Sequence, residues 1–280
     1  MHSQLLGYSL LVSLMAACLS RGWVLFACVL VVFPGGHFWN FFFQTCNFQL
    51  CMYWLVLIAI SVPAIYVASS RSKGLKGIIK IRKLFHFLSV AMFVPPVLLD
   101  QCEFLAIAGI TTLALFAALE YVRVSPNNLP VLRAGLNSIM KPFLDTKDVN
   151  SVFITSHIQL LAASLLPVWL SVASEIPVLA SPIFLLSGLV TVGIGDSSAA
   201  VAGLATGKPH RLPRTKKTLE GLLAFIASVF VIYSLITGVT FAIGLATIAA
   251  GIAECYSSRY DNLVVPIVFS ATWAIFNHFM

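Results

Sequence analysis

A chain of 280 residues that is 59% hydrophobic and only 10% charged falls far below the roughly 25% charged residues of a water-soluble domain. Its formal charge of +7 is gathered into a few short stretches between long apolar runs, so a soluble globular enzyme is excluded. The apolar runs are continuous rather than alternating, which also excludes a membrane β-barrel.

Each run is close to the roughly 20 residues a helix needs to cross a bilayer, and in lipid such runs must be helical to pair their own backbone groups. In chain order the expected spans are 4–33, 50–69, 84–99, 104–122, 152–173, 177–195, 219–236, 239–255 and 263–280. The expected fold is therefore an all-α, polytopic transmembrane bundle of about nine spans. The first region is interrupted by Arg21 and admits one tilted span, two short segments or a signal-like stretch. The last is least favoured because no Lys or Arg precedes it. Residues 1–70 are read as N-terminal spans and 71–280 as the catalytic membrane domain. Within the connection 123–151, residues 131–140 have the pattern of an amphipathic helix lying at the interface.

The basic residues sort by side. Arg71, Lys73, Lys76, Lys80, Arg82 and Lys83 form one group; Arg123, Arg133, Lys141 and Lys147 a second; Lys208, Arg211, Arg214, Lys216 and Lys217 a third. Two expected spans separate each group from the next, so all three lie on one face, which the positive-inside rule makes cytosolic. These residues are read as topology determinants and phosphate ligands, with no nucleic-acid partner. Six cysteines carry no CxxC pair or metal-ligand spacing and read as apolar packing.

Carboxylates at span edges carry the functional signal, because charge at that depth is costly. Glu120, Asp196, Glu220 and Glu254 each stand at the cytosolic end of a span, and Asp261 just before the last one. Glu120 has a simpler reading as the partner of Arg123, and Glu254 as that of Arg259. The richest stretch runs from Gly193 to Gly221. Its first half is Gly193-Ile-Gly-Asp-Ser-Ser-Ala-Ala200, whose small residues suit close helix packing but leave Asp196 unexplained. In its second half Thr215 is the expected N-cap of a helix starting near Lys216, and free N–H groups in such a first turn favour a phosphate. Lys216 and Lys217 add charge there. With Thr218, Glu220 and Asp196 nearby, the stretch reads as a phosphate-and-metal site rather than a headgroup-binding loop. Gly203-Leu-Ala-Thr-Gly-Lys208 is not a P-loop: the glycines are one residue too close and Pro209 replaces the hydroxyl residue.

Several blocks then resemble the dolichol kinases in order: Arg82-Lys-Leu-Phe-His-Phe87, Leu119-Glu-Tyr-Val-Arg123, Phe143-Leu-Asp-Thr-Lys-Asp148 and Thr155-Ser-His-Ile158, followed by Gly195-Asp-Ser-Ser-Ala-Ala-Val201, Thr215-Lys-Lys-Thr-Leu-Glu-Gly221 and Tyr260-Asp-Asn-Leu263. The glycine–aspartate and Thr-Lys-Lys-Thr blocks are shared with phytol kinases and CTP-dependent diacylglycerol kinases, which remain the alternatives, with a membrane transporter behind them. Arg214 departs from the family, where a small residue is usual before Thr215. The resemblance implies transfer of the γ-phosphate of CTP to the terminal hydroxyl of dolichol, with a divalent cation (Mg2+ or Ca2+), at the endoplasmic reticulum membrane. On that footing Lys208, Thr215, Lys216, Lys217 and Thr218 are expected to hold the triphosphate. Asp196 with Glu220 or Glu254 would bind the cation, and one of these acids would accept the alcohol proton. Asp261 and Asn262 would orient the nucleotide or a metal-bound water, and His86 is a lesser candidate.

Overall fold

The computed structural model describes residues 44–71, 74–124, 130–140, 153–206, 210–213, 215, 217–257 and 261–278. Among these the chain is all-α: α1 (Thr45–Arg71), α2 (Gly74–Leu98), α3 (Cys102–Val124), α4 (Pro130–Met140), α5 (Ser156–Val172), α6 (Pro182–Leu185), α7 (Asp196–Ala205), α8 (Leu219–Thr237), α9 (Phe241–Tyr256) and α10 (Asp261–His278). A π-helical segment, Leu189–Gly195, leads directly into α7. Among the described residues four helices are long and apolar enough to cross a membrane, at Cys46–Ser69, Ile79–Leu98, Cys102–Val124 and Leu219–Thr237; shorter apolar helices lie at Ser156–Val172, Leu189–Ala205 and Phe241–Tyr256. The expected region 4–33 lies outside the described residues.

The distribution of side chains is that of a membrane bundle. Large apolar residues such as Leu55, Ile60, Leu235 and Val239 face outward, whereas Ser164, Ser187, Thr191, Ser197 and Thr247 are fully buried. Lipid is as apolar as leucine, so helices in it are held by close packing and interhelical hydrogen bonds. The Ser270 hydroxyl donates to Ser187 Oγ at 2.7 Å. Tyr233 stacks on Phe269, with centroids 4.7 Å apart, and its hydroxyl donates to the Ile183 carbonyl at 3.2 Å.

α2 runs through Pro95 and Pro96 to Leu98, as the expected span 84–99 requires. Two prolines remove the N–H groups that would bond the carbonyls four residues earlier, which belong to Ala91 and Met92. Both carbonyls are satisfied from α1: the Tyr53 hydroxyl donates to Ala91 O at 2.8 Å and Trp54 Nε1 to Met92 O at 2.7 Å. The missing bonds of one helix thus become the seam to the next.

Three boundaries differ from those expected. α2 starts at Gly74, so Lys80, Arg82 and Lys83 stand on helix rather than loop; an apolar count cannot see amphipathic turns that continue a span beyond its hydrophobic stretch. The expected span 177–195 opens with a 3-10 turn at Pro177–Ala180, becomes α-helical at Pro182 and continues through the π segment into α7, because the residues after Asp196 are small and helix-compatible. Finally, the N-cap of α8 is Thr218, whose Oγ1 accepts from Gly221 N. Thr215 Oγ1 accepts instead from Lys217 N at 3.1 Å. The turn between α8 and α9 uses Gly238 at φ 82°, a conformation open to glycine at little cost.

Candidate active site

At one end of the bundle the start of α2, the start of α7, the loop before α8, the end of α9 and the start of α10 surround a cleft of about 300 Å³. α2 presents Ile79, Arg82, Lys83 and His86 to it, a spacing that places all four on one helical face. α7 contributes Asp196 and the small-residue row Ala199, Ala200 and Gly203; α8 contributes Lys217, Thr218 and Gly221 from its N-terminus; Glu254, Asp261 and Asn262 close the far wall.

Small residues set the spacing of these walls. A Cβ on Gly221 would meet the Ala199 carbonyl oxygen at 3.1 Å, and one on Gly203 would meet Thr218 Oγ1 at 3.0 Å. A Cβ on Gly195 would lie 2.7 Å from both Phe225 and Val229. The π segment that ends there carries a widened turn in which Asp196 N–H bonds Thr191 O, five residues back. Such bulges are frequent at functional sites; here it turns Asp196 into the cleft. We expect Gly195→Ala to lower stability by about 1–3 kcal/mol through overpacking and to reduce activity by displacing Asp196. The control is Gly135→Ala, where an added Cβ meets nothing within 4 Å. Thermal unfolding in detergent checks both; equal midpoints would refute the packing role.

The charges form two linked groups. Asp196 accepts from Lys83 Nζ, and His86 Nε2 lies 3.3 Å from the same carboxylate oxygen. Lys217 Nζ donates to Glu254 and stands 3.6 Å from Asp261. Burial alone would lower the pKa of Lys217, but Glu254 and Asp196, with Asp261, outweigh it and hold the ammonium above the ordinary lysine range. Lys217 therefore stays charged at any physiological pH.

Among the sequence-expected residues, Asp196, Lys217, Thr218, Glu254, Asp261 and Asn262 come together in this cleft. Thr215 lies in the adjoining loop, while Lys208 and Lys216 fall outside the described residues. Two of the acids at span ends stand apart from the cleft. Glu220 does not line the cleft: its carboxylate accepts from His210 N at 3.0 and 3.1 Å and meets His210 Nδ1 at 2.6 Å. Its short side chain, on the first turn of α8, is drawn to the loop backbone returning beside it, where Leu219 N bonds His210 O. Glu120 does not join the other acids either. It accepts from Arg123 Nε and Nη2 at 2.8 and 2.6 Å and from the backbone N–H of Ile154, so it clasps α3 to the segment before α5. Conversely, Lys83 lines the cleft although the sequence placed it in a basic group and not among the expected site residues. The signal that locates it is the i, i+3, i+4, i+7 placement of Ile79, Arg82, Lys83 and His86.

The donor set suits a hard cation. Asp196, Glu254 and Asp261 supply only oxygen, the ligand type that Mg2+ and Ca2+ require, and a positive ammonium already lies between two of them. Among the described residues no three acids, histidines or cysteines stand close enough together to hold a metal ion, so the chain offers at most two of these acids at once and a bound phosphate would supply further oxygens.

The sequence model described as DOLK: Dolichol kinase matches residues 1–187. The chain is 33% identical over 232 residues to dolichol kinase EVAN of Arabidopsis thaliana, a match covering 79% of this chain and 39% of that protein. It is 33% identical over 247 residues to a dolichol kinase of Bos taurus, covering 81% of this chain and 45% of the relative. A Saccharomyces cerevisiae dolichol kinase is 28% identical over 233 residues, covering 80% and 41%. The chain thus spans less than half the length of these curated relatives. No solved structure matches it.

Proposed function

The chain belongs to the dolichol kinase family, and from that premise we propose that its cleft transfers the γ-phosphate of CTP to the terminal hydroxyl of dolichol. The observation that carries this reading is the meeting of three carboxylates with two lysines at one end of a membrane bundle, beside a helix N-terminus. Phosphoryl transfer is mostly positioning and charge neutralisation. An apolar bundle can present a lipid alcohol at headgroup depth while a nucleotide enters from water.

In this reading the machinery lies within 71–280, with 1–70 as N-terminal spans. The site faces the cytosol at the endoplasmic reticulum membrane, since CTP is cytosolic and the basic stretches flank the cleft. Lys217 and Thr218, at the start of α8, hold the triphosphate, joined by Thr215, Lys208 and Lys216 from the same loop. Lys83 adds a cation from the opposite wall. Asp196, Glu254 and Asp261 are the residues that would hold a divalent cation, Mg2+ or Ca2+, which when bound neutralises charge on the phosphates. Asn262 orients the nucleotide. The alcohol oxygen attacks Pγ, the bond from Pγ to the β-bridging oxygen breaks, CDP leaves, and the hydroxyl proton passes to a cleft carboxylate. Glu220, held by His210, fixes the loop instead of binding the cation.

The test offers γ-labelled CTP, ATP, GTP and UTP to the purified protein in detergent, with dolichol, phytol or diacylglycerol and with Mg2+ or Ca2+. We expect label on dolichol from CTP. Label on phytol or diacylglycerol would move the substrate to another lipid alcohol, and label on none from folded protein would overturn the kinase reading.

A further inference from the structure

The residues suited to meet phosphate are already engaged by the residues suited to meet the cation. Lys217 Nζ donates to Glu254 and stands 3.6 Å from Asp261, so one ammonium bridges the end of α9 and the start of α10. The partners are unequal: the side chain of Glu254 is 4% exposed and that of Lys217 34%. The acid is locked in the bundle, whereas the base stands at the cleft mouth. The backbone of Lys217 is pinned on both sides, its N–H to Thr215 Oγ1 at 3.1 Å and its carbonyl to Leu212 N at 3.0 Å. Movement of the ammonium is therefore a side-chain rotation that leaves the loop in place. Glu254 cannot follow, and a buried carboxylate left without a cation is strongly disfavoured.

We propose that Lys217 is an exchangeable counter-cation: its ammonium holds the place between Glu254 and Asp261 that a divalent cation takes, and turns to the triphosphate as the cation arrives. The identity of the triphosphate rests on the kinase reading above; the exchange itself does not. The consequence is reciprocal coupling. A cation alone must expel an ammonium whose other neighbouring anion, Asp196, already accepts from Lys83. A triphosphate alone draws Lys217 away and strands Glu254. Bound together, each supplies what the other removes. Lys83 on Asp196 has the same form at the opposite wall, so the site stays close to charge balance throughout.

The experiment measures Mn2+ binding to the full chain in detergent by electron paramagnetic resonance, without turnover. Wild type is expected to bind Mn2+ alone weakly, and about tenfold or more tighter with the β,γ-methylene analogue of CTP present. Lys217→Met is expected to bind Mn2+ alone about tenfold or more tighter than wild type, a gain that disappears in Lys217→Met combined with Glu254→Gln. Lys217→Arg keeps the charge and should bind Mn2+ as weakly as wild type. A Lys217→Met protein that folds only with Mn2+ present also supports the exchange. Folded Lys217→Met with unchanged or weaker Mn2+ affinity overturns it, as does a gain in Lys217→Arg. Mn2+ exchange without phosphorylation of dolichol would keep this inference and remove the kinase; phosphorylation with unchanged Mn2+ binding in Lys217→Met would do the reverse.

Discussion

Asp196→Asn is expected to lower the rate of label transfer from γ-labelled CTP to dolichol by about 10²–10³-fold, the range seen when one preorganised electrostatic group is removed from an active site. The amide keeps the shape of the side chain and removes its charge. Lys83 then loses its anion and His86 loses the oxygen 3.3 Å from its Nε2. The cleft also loses one of its three carboxylates. Because both helices that carry the pair remain packed through other contacts, the variant should stay folded, and a retained thermal transition makes the rate interpretable. A rate within tenfold of wild type would remove Asp196 from the reaction and leave it as a structural partner of Lys83. Lys83→Met is the companion: an effect of similar size would show that the α2 face belongs to the site.

The second large effect concerns stability. Glu120→Ala should destabilise the protein by about 3–5 kcal/mol, the cost of breaking a buried ion pair from one side. Glu120 is 4% exposed and answers three donors: two from Arg123 and the Ile154 N–H. Alanine removes the anion from the Arg123 guanidinium and leaves the Ile154 N–H without its acceptor. Arg123 also donates to Asn137 on α4 at 3.3 Å, so the loss should loosen the connection between α3 and α5 as well. Thermal unfolding in detergent and proteolysis of that connection read the change. A midpoint shift within 1–2 °C, a small fraction of that loss, would mean that the clasp contributes little. Any fall in activity should follow the fraction folded, because Glu120 does not face the cleft.

These two carboxylates show what a sequence can and cannot tell about acids at span ends. Both look alike in the chain: a lone acid closing an apolar run. Their neighbours separate them, since Glu120 has Arg123 three residues on, within reach along one helix face, and its pairing was legible as a local event. Asp196 meets Lys83, which is 113 residues away, and no local rule connects them. The same holds for Lys217 and Glu254, 37 residues apart. Glu220 meets His210 instead of the cleft because the loop before α8 folds back beside it, a return that local spacing does not show.

The sequence by itself determined that the chain is a helical membrane bundle, because backbone pairing in lipid leaves continuous apolar runs no alternative. It also singled out six residues that line the cleft, because charge at a membrane edge is costly and stands out against the apolar runs. Tertiary structure alone decided which charges face one another. That choice depends on helix start points, on a π turn that rotates Asp196 by a fraction of a residue, and on glycine contacts that fix how closely α7 and α8 approach. Each is a balance of packing among distant segments, and none is written in the spacing of any one of them.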